Sequence, residues 1–267
     1  MPGCLKIKDV HVTFEAGTIN ENHVLKGIDF EADASDFITV IGGNGAGKST
    51  LLNTIAGVYE ADAGHIEIDE IDVTRTPEHK RAKLIGRVFQ DPKMGTATRM
   101  TIEENLAIAT KRGQKRGLRF GLSAADREFY KEQVALLDLG LEDRMTMDMG
   151  LLSGGQRQAI TLLMATIVEP KLLLLDEHTA ALDPKTAEQV LGLTQKLVTE
   201  KKLTTFMITH NMQDALRYGN RLIMLHNGKI VVDLKGEEKK LATMEDLMQL
   251  FRQNSQTELK DDALLLS

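Results

Sequence analysis

The stretch Ile38-Thr39-Val40-Ile41-Gly42-Gly43-Asn44-Gly45-Ala46-Gly47-Lys48-Ser49-Thr50-Leu51-Leu52 constrains the fold more than any other part of the chain. A β-branched run feeds a loop of the form G-x-x-x-x-G-K-S, and Leu51, Leu52, Ile55 and Ala56 then recur at helical spacing. Strand, glycine loop and helix in that order make a phosphate cradle. Several backbone N–H groups must point into one small volume, and a Cβ would block both the dihedrals and the approach of a polyphosphate, so glycine is needed. The helix N-terminus behind the loop adds its partial positive charge. Lys48 can then reach the β- and γ-phosphates, and the Ser49 hydroxyl can join a Mg²⁺ shell.

Such a loop needs a sheet around it. The chain has 267 residues and is 42% hydrophobic, enough for one large α/β domain or a core with a small subdomain. A formal charge of −6 and a pI near 5.7 argue against a chain whose main task is to hold nucleic acid, and none is expected as a partner. The single cysteine, Cys4, forms no intrachain disulfide, and no secretory leader pattern opens the sequence, so the cytoplasm is the expected compartment. Apolar runs such as Leu172 to Leu175 and Leu264 to Leu266 fall far short of the roughly 20 residues that span a bilayer. Membrane association is therefore expected through a partner.

Leu5 to Phe14 alternates apolar and polar residues, and Val24 to Phe30 forms a second strand beyond a polar turn, which predicts an N-terminal antiparallel β-subdomain. Phe14, in a chain with 4% aromatics, either stacks on a nucleotide base or fills the core. Gly64 to Asp69 is a short strand, and Pro77 to Lys83 a polar helical turn. Ile85 to Phe89 is a strand that stops at Gln90-Asp91-Pro92, so Gln90 projects into a loop. Thr101-Ile102-Glu103-Glu104 reads as a capping box, with Ile102, Leu106 and Ala109 on one helical face. It opens an all-helical insert running to about Gly150. Lys111, Arg112, Lys115, Arg116 and Arg119 form its one dense basic cluster, readable as a contact for anionic headgroups or an acidic partner, or as a solvated loop.

Leu152-Ser153-Gly154-Gly155-Gln156 precedes a helix marked by Ile160, Leu163, Met164 and Ile167, a second helix start able to meet an anion. Lys171 to Leu175 is almost purely aliphatic, as a central parallel strand covered on both faces should be, and it ends in Asp176-Glu177. Two carboxylates there are costly as packing, whereas a metal ion and a reacting water give each a role. Asp183-Pro184 leads into a helix through about Glu200, and Leu203 to Thr209 is a strand ending at His210. Asn227-Gly228 marks a hairpin between Arg221 to Leu225 and Lys229 to Leu234. Glu237 to Phe251 reads as one closing amphipathic helix, and Arg252 to Asp262 as a frayed tail.

Four strands thus end in polar residues: Ile41 before the glycine loop, Phe89 before Gln90, Leu175 before Asp176-Glu177 and Thr209 before His210. In an open parallel α/β sheet, ligands lie outside the carboxyl ends of the strands, so the four endings can serve one site. Over roughly residues 5 to 235, these motifs in this order resemble the nucleotide-binding subunit of an ATP-binding cassette (ABC) transporter.

The resemblance implies a P-loop NTPase core with a mostly parallel sheet, the N-terminal antiparallel β-subdomain and a helical subdomain inserted at about 95–165. The ATPase domain spans 1–235 and a C-terminal helix with a flexible tail fills 236–267. It further implies a dimer of two such subunits, with each ATP held by the phosphate loop of one and the signature Ser153-Gly154-Gly155-Gln156 of the other. Hydrolysis is by in-line attack of water on the γ-phosphate. Glu177 is the implied general base; Asp176 and Ser49 bind Mg²⁺; Gln90 serves metal and water; His210 meets the γ-phosphate; Asp183 couples the two sites. Phe14 becomes the adenine platform. An integral-membrane permease meets the helical insert and the loop from Asp91 to Met100, with a solute-binding protein acting indirectly, which places the subunit on the cytoplasmic face of the membrane.

Some positions depart from the common pattern: His178 stands where proline often follows the glutamate, and Gln158 to Thr166 lacks the usual alanine-arginine-alanine run. Neither removes a catalytic group. The loop wording around Phe89 to Thr96, Met100 to Leu106 and Glu177 to Pro184 resembles a bacterial subgroup that imports amino-acid-like solutes with a lipoprotein-type binding protein. A soluble cassette ATPase acting in iron–sulfur cluster assembly or on ribosomes or DNA is the competing reading; the ribosomal type favours two tandem cassettes, and this chain has one.

Overall fold

Alternating apolar and polar residues fold the start of the chain into β1 (Leu5–Phe14) and β2 (Asn22–Ala32), in a computed structural model that describes residues 4–114 and 122–253. Next, β3 (Phe37–Gly42) leads into α1 (Lys48–Ala56), β4 (Ala63–Ile68) and the two-residue β5 (Ile71–Asp72). There follow α2 (Glu78–Arg81), β6 (Ile85–Val88), α3 (Ile102–Thr110) and α4 (Ala124–Ala135). A 3-10 turn at Met149–Leu151 precedes α5 (Gly154–Thr166), β7 (Leu172–Asp176) and α6 (Pro184–Glu200). Then come β8 (Thr204–Ile208), α7 (Met212–Arg217), β9 (Arg221–His226), β10 (Lys229–Lys235) and α8 (Gly236–Leu241). The chain divides into two units, Met1–Pro77 with Phe206–Ser267, and Glu78–Thr205.

In the first unit, an antiparallel sheet of order β2-β1-β4-β5 forms the expected β-subdomain. Leu5 pairs with Ala32 on one side and Ile68 on the other, and all three are fully buried. The same unit carries β3 parallel to β9, Ile38 opposite Arg221 and Gly42 opposite Leu225, with β10 antiparallel at the edge and β8 on the other side of β3. Asn227 (φ 44) and Gly228 (φ 77) give the β9–β10 turn the two left-handed residues of a type I′ hairpin. Arg221, 3% exposed, forks onto Asp233 at 2.6 and 2.7 Å, donates to the Glu31 carbonyl at 2.5 Å and lies 4.2 Å over the Phe30 ring. It thereby ties β2 to the hairpin, with its charge fully partnered.

The second unit pairs β6 with β7 in parallel, Ile85 opposite Leu172 and Val88 opposite Leu175. Leu172 to Leu175 are all 0% exposed, as their unbroken aliphatic run requires, and each contributes about 1.5–3 kcal/mol of burial. Thr101 caps α3 in the expected capping box with Glu104. Ile102 and Leu106 of α3 then meet Tyr130 and Val134 of α4 and Ile160 and Leu163 of α5 in one apolar cluster.

Two expectations are corrected. The closing helix is not continuous from Glu237: α8 stops at Leu241, Ala242 is extended (ψ 133), and a separate helix covers residues 244–253. Thr243 starts it through its own capping box, accepting from the Asp246 N–H at 3.2 Å while the Asp246 carboxylate accepts the Thr243 N–H at 2.8 Å. Arg112 is not part of a solvated basic loop. Its guanidinium donates to the carbonyls of Ala165 (3.1 Å) and Val168 (2.5 Å), and burial lowers its pKa. Lys115, Arg116 and Arg119, and the tail beyond Gln253, lie outside the described residues.

Candidate functional site: a nucleotide-binding half and a signature half

The phosphate loop leaves β3 at Gly42 and ends where α1 begins at Lys48. Gly42 has φ 153, and a Cβ on it would lie 2.3 Å from the Leu225 carbonyl oxygen of β9, so no other residue fits. Gly47 (φ 98) makes the turn into the helix. As the N-cap it provides no side-chain hydrogen bond, whereas α3, α4, α5, α6 and α7 are all capped by a side chain. The first turn of α1 thus presents its amides to an anion with no acidic residue competing. The Lys48 ammonium donates to the carbonyls of Gly42 and Gly43, each at 2.9 Å, which fixes it at the loop. Asn44, Gly45 and Ser49 are exposed, Thr50 is half-buried and Ala46 is buried beneath them.

Backbone contacts brace this loop from behind. The Gly228 N–H donates to the Ala46 carbonyl at 3.2 Å, and Lys26 holds the same hairpin tip, its N–H on the Gly228 carbonyl at 3.0 Å and its ammonium on Asn227 Oδ1 at 2.5 Å. Phe251 of the helix at 244–253 packs edge-on to His226, ring centroids 5.9 Å apart, beside Gly43. Neither brace was expected from the sequence; the apolar spacing of Leu247, Leu250 and Phe251 is the signal that points to the second.

On the neighbouring strand, the Thr209 N–H donates to the Val40 carbonyl at 3.1 Å, placing exposed His210 just past the end of β8, beside the end of β3. Asn211 then caps α7. Phe14, half-buried at the end of β1, meets Tyr59 edge-on at 5.1 Å, an aromatic partner the sequence did not single out.

In the second unit, Gln90 and Asp176 follow from the paired ends of β6 and β7. Gln90 is exposed; Asp176 and Glu177 are half-buried. Arg87, two residues before Phe89 and 4.5 Å over its ring, reaches Asp176 Oδ2 at 3.8 Å. Glu177 has φ 47, a left-handed conformation that residues with a Cβ rarely adopt. His178 behind it is 2% exposed, and burial pushes its pKa down to about 4.

The signature starts α5. Ser153 is its N-cap, accepting the Gln156 N–H at 3.2 Å, while Gln156 Oε1 accepts the Ser153 N–H at 3.1 Å. Arg157, missed in the sequence, donates to the carbonyls of Met149, Gly150 and Leu152 and so fixes the turn that presents the serine. Gly154 lies over Leu182, and a Cβ on Gly155 would stand 2.1 Å from Thr186 Cγ2 of α6. With the Thr186 methyl in place, glycine at 155 is what lets the two helix starts approach this closely. Asp183 caps α6, and hydrogen bonds from Thr186 hold its exposed carboxyl below the usual range. A cleft of about 450 Å³ opens beside Ser153, Gln156, Thr186 and Gln189.

Among the described residues, no group of three or more His, Cys, Asp or Glu could hold a metal by itself. The Asp176 carboxylate and Gln90 amide oxygen of the second unit, and the Ser49 hydroxyl of the first, are each hard oxygen donors of the kind Mg²⁺ takes.

A family model described as "ABC transporter" matches residues 25–180. A tyrosine transport ATP-binding protein of Clostridioides difficile (strain R20291) is 41% identical over 247 residues, 92% of this chain and 98% of that protein. The methionine import ATP-binding protein MetN of Streptococcus agalactiae serotype Ia is 35% identical over 236 residues, 85% of this chain and 63% of that protein. Among solved structures, the dimeric post-hydrolysis state of the ATP-binding cassette MJ0796 bound to ADP and Pi aligns with a TM-score of 0.73 at 29% identity, over 86% of this chain and 98% of that one. With its ABC ATPase fold, the chain belongs to the ABC transporter family, as an ATP-binding subunit whose ATPase activity is coupled to transport.

Proposed function

We propose that this subunit drives import of a small organic solute, an amino acid or close analogue, through a separate integral-membrane permease. The observation that carries the solute class is the likeness along nearly the whole length of the protein named for tyrosine transport. No helix of the described residues is long and apolar enough to cross a membrane. In this reading the subunit sits on the cytoplasmic face of the membrane, and a solute-binding protein delivers the solute from the other side. The ATPase domain spans 1–235, with the helical part at about 95–165 and the loop Asp91 to Met100 meeting the permease. Met94 of that loop, 70% exposed, suits such a contact.

Two copies close on ATP. The adenine ring stacks on Phe14, and the amides of Gly42, Gly43, Asn44, Gly45, Ala46 and Gly47 with the start of α1 through Thr50 receive the phosphates. Lys48 neutralises the β- and γ-phosphates, and Ser153, Gly154, Gly155 and Gln156 of the second copy approach from the far side. Ser49, Asp176 and Gln90 hold Mg²⁺, which when bound neutralises phosphate charge. Glu177 accepts a proton from the attacking water, His210 donates to the γ-phosphate, and Asp183 links the two sites. Positioning and fixed charge supply most of the acceleration.

Uptake of labelled tyrosine by cells expressing the wild-type chain tests the solute class. Uptake should disappear with Lys48→Ala in place of the wild type. Uptake of aromatic amino acids that is unchanged by Lys48→Ala contradicts it.

A further inference from the structure

We propose that His178 is a positioning residue for Glu177, holding the left-handed peptide that carries the proposed general base through a hydrogen bond from its buried ring to Thr194 of α6. The inference rests on the reading of Glu177 as base. It arises from a polar ring buried directly behind the left-handed Glu177.

The geometry shows how the ring is held. His178 Nε2 lies 3.0 Å from Thr194 Oγ1, and the Thr194 hydroxyl itself donates to the Val190 carbonyl at 2.8 Å. Its proton being spent on Val190, the hydroxyl accepts from His178, which places the imidazole proton on Nε2. Both residues are buried, at 2% and 0% exposed. A buried pair of this kind has one good arrangement, because breaking it leaves two polar groups without water.

The bond fastens one end of a short closed path. From Glu177 the backbone turns twice, with Ala180 N–H donating to the Glu177 carbonyl at 2.9 Å and Leu182 N–H to the Thr179 carbonyl at 3.1 Å. Asp183 then caps the start of α6. The segment is pinned to one helix at both ends, by His178 on Thr194 and by Asp183 on Thr186. Glu177, at φ 47, sits at the entrance of that segment. A left-handed residue with a Cβ persists where its surroundings over-determine it, and the His178 anchor is the adjacent restraint that does so.

An apolar side chain would fill the same volume, so a filling role and a positioning role make different predictions. Thr194→Val removes the acceptor at constant shape and Thr194→Ser keeps it; His178→Leu removes the donor and His178→Gln carries an amide N–H to similar reach. In the full chain, Thr194→Val and His178→Leu should each lower kcat for ATP hydrolysis about tenfold, with KM and fluorescent-ATP affinity changed less than about threefold. Thr194→Ser and His178→Gln should recover most of kcat, and the double variant Thr194→Val/His178→Leu should be no worse than either single one. A Thr194→Val protein with wild-type kcat, or one whose loss appears in KM alone, overturns the proposal, and Thr194→Val decides it even where His178→Leu fails to fold. Glu177→Gln measured alongside separates the two readings: full hydrolysis in that variant removes the base assignment, whereas its loss together with full activity in Thr194→Val removes only the role of His178.

Discussion

The backbone N–H of Gly228 donates to the carbonyl of Ala46, so the tip of the β9–β10 hairpin bears directly on the phosphate loop. This places a type I′ turn, chosen locally by Asn227-Gly228, in the service of a loop some 180 residues away in sequence. Gly228→Ala should cost about 1–3 kcal/mol and weaken ATP binding together with stability, because Gly228 has φ 77 and its Cβ would fall 2.2 Å from the Val24 carbonyl oxygen. Urea unfolding and fluorescent-nucleotide titration read the two effects. Loss of stability with unaltered ATP affinity would show that the brace does not shape the loop.

Between α5 and α6 the clearance is smaller still. Gly155→Ala should destabilise the protein by about 1–3 kcal/mol, since its Cβ would meet Thr186 Cγ2 at 2.1 Å. Adding Thr186→Ser removes that methyl and keeps the hydroxyl that bonds Asp183, and should restore at least half of the loss. Thermal unfolding of the single and double variants measures it; no recovery in the double variant argues against a steric cause.

Acid should weaken the fold through His178. Its pKa falls from 6.5 to about 4 on burial, so between those values the unfolded chain binds a proton that the folded chain does not. The stability contributed by the neutral ring is complete above pH 6.5 and declines as the pH falls toward 4. The urea midpoint should therefore drop from pH 7 to pH 5, and drop less in His178→Gln. An equal drop in both proteins assigns the acid sensitivity elsewhere.

Leu247 is fully buried in the cluster that also holds Ile41, Ala215 and Met224, and it anchors the helix whose Phe251 lies beside Gly43. Leu247→Ala should release that helix at a cost of about 2–4 kcal/mol to its docking. Hydrogen exchange should then speed up over residues 244–253, with a smaller increase at Gly43 and Asn44. Unchanged exchange at the loop means the helix is a passive cover.

Local signals carried much of this molecule. The unbroken Leu172 to Leu175 run reads as a doubly covered strand because nothing in it tolerates water, and Thr101 and Asp183 announce their helices because caps are chemistry within four residues. The closing segment failed as a single helix because Thr243 and Asp246 form a second capping box inside an otherwise amphipathic pattern. Arg112 failed as a surface charge because its partners, Ala165 and Val168, are more than fifty residues away. For the same reason the candidate site motifs stand out in the sequence while their supports do not. Gly42 is conspicuous in the sequence, but the Leu225 carbonyl that excludes any other residue there is not, nor is the methyl of Thr186 beneath Gly155.

The central claim is that the phosphate loop of one copy and the signature of another close on the same ATP before Glu177 acts. Sedimentation of the Glu177→Gln chain with and without Mg-ATP tests it most directly. The account predicts a monomer without nucleotide and a stable dimer with it, the dimer being lost when Ser153→Arg is added to block the signature. A Glu177→Gln protein that binds ATP and remains monomeric, or a dimer indifferent to Ser153→Arg, contradicts it.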